Sequence, residues 1–203
     1  MQKIDLKKEF KYLYAPSAKE IVLVEVPEMA YLMVDGKGDP NTSQEYMDSI
    51  EALYSIAYTL KFMLKKSDAA LDYGVMPLEG LWWVDDMREF SVENKDAWKW
   101  TSMIVQPDFV TNEHFEQART EVRKKKELAS IDKVRFERDH EGLSAQTMYI
   151  GPYADEGPTI ERIHAFIDGL GRKRRGKHHE IYLSDPRRTA PEKLKTVIRQ
   201  PVE

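Results

Sequence analysis

The tetrapeptide Ile104-Val105-Gln106-Pro107 returns near the end of the chain as Ile198-Arg199-Gln200-Pro201. Further correspondences fall in the same order. Met33-Val34-Asp35-Gly36 answers to Met148-Tyr149-Ile150-Gly151, and Trp82-Trp83-Val84-Asp85 to Tyr182-Leu183-Ser184-Asp185. Self-similarity at long spacing restricts a chain to architectures that build one supersecondary unit more than once. The fold class that follows is α+β, with the order strand, strand, helix, strand, strand occurring twice, in halves of about 19–110 and 130–203.

Local patterns fill that frame. Ile21-Val22-Leu23-Val24-Glu25-Val26 is a β-branched run stopped by Pro27, and Ala30-Tyr31-Leu32-Met33-Val34 is a second run closing at Asp35-Gly36-Lys37-Gly38. Both read as strands. Thr42-Ser43-Gln44-Glu45 fits a capping box. Tyr46, Ile50, Leu53, Ala57, Leu60 and Leu64 then recur at steps of four and three, the period of one helix face. Strands are predicted over 76–84 and 98–105, joined through the charged stretch 85–96, and a second helix over 111–128. Strands follow at 134–137 and 145–150. Pro158 sits where a first-turn helical proline belongs, ahead of Ile160, Ile163, Ile167 and Leu170. The last strands fall at 179–183 and 193–199. Residues 1–18 are polar, end at Ala15-Pro16-Ser17, and read as a lead-in arm to a domain over 19–203.

With 203 residues, 41% of them hydrophobic, the chain can bury a sizeable core as one compact domain or as two small fused halves. Its charges are interspersed and sum to only −4, which gives no electrostatic footprint for nucleic acid or an anionic membrane. The absence of cysteine excludes disulfide staples, thiolate metal sites and cysteine nucleophiles. No apolar run approaches the roughly 20 residues of a membrane span, and the first residues are charged where a signal peptide is apolar. A cytoplasmic protein is expected. His114, His140, His164, His178 and His179 show no zinc spacing, and the last two, adjacent in a strand, point to opposite faces, so no metal is expected. Gly36-Lys37-Gly38 fits a tight turn, not a phosphate-binding loop, and no other cofactor motif is present. The basic stretch 172–177 fits a solvated loop. No helix-turn-helix segment is recognisable, so direct nucleic-acid binding is not expected.

Strand alternation sorts the candidate side chains. Glu180 and Tyr182 share one face of their strand, Ile181 and Leu183 the other; the apolar pair is expected under the helices, with Glu180 and Tyr182 on the opposite, concave face. Trp98, Trp100 and Ser102 share a face, and Trp82 lies opposite Leu81 and Trp83. An acidic group and several flat side chains could thus surround one cavity, with Glu180 as a base or as the counter-ion of a cationic ligand. The plainer reading is that the tryptophans are core or rim packing and the acid faces solvent.

The ending Glu180-Ile-Tyr-Leu-Ser-Asp-Pro-Arg187, followed by Pro191-Glu-Lys-Leu-Lys-Thr-Val-Ile-Arg-Gln-Pro-Val202, resembles the C-terminal signature of GyrI-like small-molecule-binding (effector-binding) domains. The segments Val26-Pro27 to Gly38, 78–83 and 98–107 resemble the stand-alone subgroup of that family, similar to cyclopropanoid cyclopropyl hydrolases. The resemblance implies a duplicated βαββ (SHS2-like tandem) fold with pseudo-two-fold symmetry and a central ligand pocket between the halves. It places the family's buried acidic residue on Glu180. It also implies hydrolysis of flat, hydrophobic genotoxins of the yatakemycin and duocarmycin type, without a cofactor. In this reading Trp82, Trp100, Tyr149 and Tyr182 bind the ligand, Glu180 deprotonates a water, and Tyr182 stabilises the developing phenolate or assists the water. The alternatives are a multidrug-binding or sensing module without turnover, taking a planar or cationic small molecule through the same residues, and a gyrase-inhibitor-like interaction protein, which is not favoured.

Overall fold

The computed structural model describes residues 3–67, 70–87 and 94–203. In chain order it contains β1 (Lys3–Ile4), α1 (Leu6–Glu9), α2 (Lys11–Tyr14), β2 (Val22–Lys37), α3 (Gln44–Lys66), β3 (Asp72–Tyr73), β4 (Leu78–Trp83), β5 (Lys99–Gln106), α4 (Asn112–Lys125), β6 (Arg135–Ile150), α5 (Gly157–Gly169), β7 (His178–Tyr182) and β8 (Lys195–Pro201). This is a mixed α/β fold with a sheet-dominated core. The stretch 85–96, predicted as a connection between strands, lies in part outside the described residues.

Strands predicted as separate are continuous in two places. The runs on either side of Pro27 form one 16-residue strand, β2, and those on either side of Gly142 form the equally long β6. A proline removes one ladder donor, yet its fixed φ is compatible with extended backbone. At Gly142 the backbone takes φ +71, a conformation that suits glycine. The start of α3 also shifts by one residue: Ser43, not Thr42, is the N-cap, its hydroxyl accepting from the Tyr46 amide. The helix expected over 111–128 is α4, Asn112–Lys125, and Thr111 caps it, with Thr111 and His114 bonding reciprocally. The segment read as an arm contains two short helices with Leu13 and Tyr14 buried.

The chain divides into two compact units. The first comprises residues 1–6, 29–78 and 82–139. Within it, β2 and β5 pair antiparallel from Ala30↔Gln106 to Lys37↔Lys99, and β1 pairs parallel with β3. Helix α3 packs on β5 and α4 through a face that buries Leu53, Ile56, Leu60 and Leu64. Each such side chain contributes about 2 kcal/mol on leaving water.

The second unit comprises residues 7–28, 79–81 and 140–203. Strand β8 pairs antiparallel with β6 on one side and with β7 on the other. Ile163 and Ile167 of α5 pack on Ala145, Ile198 and Val202, which form the sheet side of this core.

Candidate functional site

The register of β7 on β8 corrects the face assignment made from the sequence. Glu180 is paired with Ile198 and Tyr182 with Thr196. Directly opposed residues project to the same side of a sheet, and Ile198 packs against α5. Glu180 and Tyr182 therefore project to the α5 side, whereas Ile181, expected there, is buried on the other. The apolar stripe under α5 comes from β6 and β8, so β7 is free to carry polar residues on that side.

The α5 side of β7 presents His178, Glu180 and Tyr182 at spacings of two. His178 Nε2 lies 2.9 Å from Glu180 Oε1, and the Tyr182 hydroxyl donates to Glu180 Oε2 at 2.8 Å. The His178 side chain is 3% exposed and that of Glu180 13%, so the carboxylate is the more accessible member. Tyr153, just beyond β6, sets its ring edge-on to Tyr182 with centroids 5.5 Å apart. Burial, and then the charges of Glu156, Glu180 and Asp185, push the Tyr153 phenol up to about 12, so it stays a proton donor at neutral pH. Tyr149 projects to the same side, since Thr196 is the register partner of both Tyr149 and Tyr182. Its hydroxyl donates to the Pro152 carbonyl at 2.9 Å, and its phenol is raised by burial and by Asp155 and Glu156.

The opposite side of the same strands carries a second, closed network that the sequence reading missed. His179 Nδ1 lies 2.9 Å from Glu141 Oε1, and its Nε2 lies 3.0 Å from Glu79 Oε2. Tyr14 donates to the other Glu79 oxygen at 2.8 Å. Arg199 donates to Glu141 at 3.0 Å, to the Gln146 side chain at 2.9 Å and to the Leu13 carbonyl at 3.2 Å. The His179, Glu79, Glu141 and Arg199 side chains are all under a tenth exposed. Burial opposes charge on His179, yet the Glu141 charge and the hydrogen bonds of Glu141 and Glu79 outweigh it and hold the imidazole up at about 9. Burial likewise opposes the Glu141 carboxylate, and His179 and Arg199 together hold it down at about 2. Two acidic side chains, an imidazole engaged at both nitrogens and a guanidinium form a closed, saturated structural lock. Parity was its signal: His179 shares a face with the buried Ile181.

In the first unit, Trp82 and Trp100 are both buried against Tyr46 of α3, with ring centroids 5.7 and 5.1 Å away. Trp98 adjoins Trp82 at 5.5 Å. The structure thus groups Trp82 with Trp100 in one unit, and Glu180 with Tyr182 and Tyr149 in the other. Among the described residues no cluster of three or more His, Cys, Asp or Glu side chains is arranged to hold a metal, and no helix is long and apolar enough to cross a membrane.

A sheet-dominated α/β chain that presents one accessible carboxylate among tyrosines fits the class of small-molecule-binding domains. The family model of the GyrI-like small molecule binding domain matches residues 19–203, and the chain belongs to that family. Two solved structures from Listeria innocua are similar over nearly the whole chain. One, an uncharacterized conserved protein, shares 45% identity over 98% of this chain and 100% of its own, with a TM-score of 0.91. The other, a hydrolase, shares 44% identity over 100% of both chains, with a TM-score of 0.89. The C-terminal domain of EcmrR aligns over 91% of this chain and 97% of its own at 15% identity and a TM-score of 0.55, a likeness of fold alone. No curated protein matches the chain.

Proposed function

We propose that this protein hydrolyses a flat, hydrophobic electrophile in which a strained cyclopropane is conjugated to a dienone, the yatakemycin and duocarmycin type. The observation that carries the proposal is the Glu180 carboxylate, the accessible member of a cluster in which His178 and Tyr182 occupy one oxygen each. A carboxylate so held can still accept a water proton on its remaining lone pairs. The water oxygen bonds to the cyclopropyl carbon, the ring bond breaks, and its electron pair passes to the dienone oxygen as the ring aromatises. That oxygen takes a proton from solvent, directly or through a phenol that solvent reprotonates, and Glu180 returns its proton to solvent. No electron donor or acceptor enters the balance.

Tyr182 already donates to Glu180, which favours the water-assisting role over that of stabilising the phenolate. Tyr153, whose ring packs edge-on against Tyr182, is the candidate donor to a developing oxyanion. Trp82, Trp100 and Tyr149 enter as ligand-binding residues through the family resemblance. The similarity to a Listeria hydrolase at 44% identity supports turnover, and the βαββ order, read as β2–α3–β4–β5 and again as β6–α5–β7–β8, supports a duplicated origin.

The test is incubation with a duocarmycin-type cyclopropanoid, with the ring-opened product followed by chromatography for wild type and Glu180→Gln. Turnover in the wild type that falls by at least about 100-fold in the variant is expected for loss of a general base. Saturable quenching of tryptophan fluorescence without product would instead leave a binding module, the reading favoured by the family's description.

A further inference from the structure

We propose that His178 is the positioning residue of this site: it donates its Nε2–H to Glu180 Oε1 and, with the Tyr182 hydroxyl on Oε2, fixes the plane of the carboxylate. The inference rests on the reading of Glu180 as the base.

The donor direction follows from the chemistry of the partners. An ionised carboxylate only accepts hydrogen bonds, and Tyr182 already donates to the other oxygen. The nitrogen 2.9 Å from Oε1 must then carry the proton, which sets the tautomer. The order of exposure sets the roles. Solvent and ligand reach the carboxylate before they reach the imidazole, so the imidazole supports the group that reacts.

The other side of the carboxylate is held as firmly, because the edge contact from Tyr153 restrains the Tyr182 ring.

The test has two arms on the full-length chain. In the first, imidazole ¹⁵N spectra of the wild type identify the His178 tautomer, assigned by its loss in His178→Gln. A protonated Nε2 is expected, and an Nδ1–H form with Nε2 bare overturns the proposal. In the second, His178→Phe and His178→Gln are compared in the ring-opening assay. Misplacing the base lowers kcat by about 100-fold in His178→Phe, with KM little changed, because the ligand surface is intact. His178→Gln keeps an N–H donor at similar reach and recovers most of kcat. A glutamine variant as impaired as the phenylalanine variant would assign His178 a proton-carrying role instead, and full activity in both would leave it none. Absence of product with wild-type protein would sink the hydrolase reading alone, since the tautomer still decides whether His178 holds Glu180.

Discussion

His179 and Glu180 are neighbours with opposite duties. Glu180 is partly open, while His179 is enclosed between Glu79 and Glu141 and serves the fold. The enclosure makes stability depend on pH. His179 is raised from 6.5 to about 9 on folding, so its contribution is complete below pH 6.5 and is lost as pH rises through 9. Glu141 is lowered from 4.5 to about 2, so its contribution is complete above pH 4.5 and is lost as pH falls through 2. The groups facing the imidazole from every packed element are Glu79 on β4, Glu141 on β6 and Arg199 on β8, with Tyr14 of α2 on Glu79. Urea unfolding should therefore show a plateau between pH 4.5 and 6.5 and a decline of a few kcal/mol by pH 9. His179→Gln, which cannot titrate, should flatten the alkaline decline. An equally steep decline in that variant would place its origin elsewhere.

At the scale of elements, the pairing of β2 with β5 turns on one glycine. Gly36 stands opposite Trp100, and a Cβ there would run into the indole, which lies across the glycine. Gly36→Ala should push Trp100 off Tyr46 and cost about 2 kcal/mol, as overpacking of a tight core does. Near-ultraviolet circular dichroism and urea unfolding would report both effects, and an unchanged spectrum with unchanged stability would refute the packing account. Much of this architecture is legible in the sequence. The 3.6-residue period finds α3, the helix read over 111–128 is α4, and Pro158 marks the start of α5. What hides is whatever interrupts a pattern without interrupting the backbone. Pro27 and the polar run 137–142 look like strand ends, because hydrophobic alternation lapses there while extended conformation does not. The face of Glu180 differs from the expected one for a related reason. Alternation says only that Glu180 and Ile181 oppose each other; which of them lies toward α5 is decided by pairing with Ile198, a partner outside the local pattern. The closed network is harder still, since Glu79, Glu141, His179 and Arg199 are far apart in sequence and each alone resembles a surface charge.

At the scale of the whole molecule, residues 7–18 belong to the structure of the second unit as much as the strands do. The family match begins at residue 19, yet residues before it complete the buried network. Arg199 donates to the Leu13 carbonyl, Gln146 donates to the Tyr12 carbonyl at 2.7 Å, and Tyr14 donates to Glu79. Farther along, the Ser17 carbonyl accepts from the Met148 amide and the Thr147 hydroxyl. Removing these partners strands polar groups that water replaces only if the unit opens, at about 1–3 kcal/mol for each group left unsatisfied. A chain lacking residues 1–18 should consequently melt roughly 5 °C or more below the full-length protein. A chain lacking only residues 1–6 loses the β1–β3 pairing but keeps residues 11–17, and should melt much closer to wild type. Differential scanning calorimetry of the three chains separates the two contributions. If the shorter deletion is as damaging as the longer one, the stabilisation comes from the β1–β3 pair. If neither matters, the hydrogen bonds of Tyr12, Leu13 and Tyr14 are replaced by water without loss, and the network is held by Glu79, Glu141, His179 and Arg199 alone.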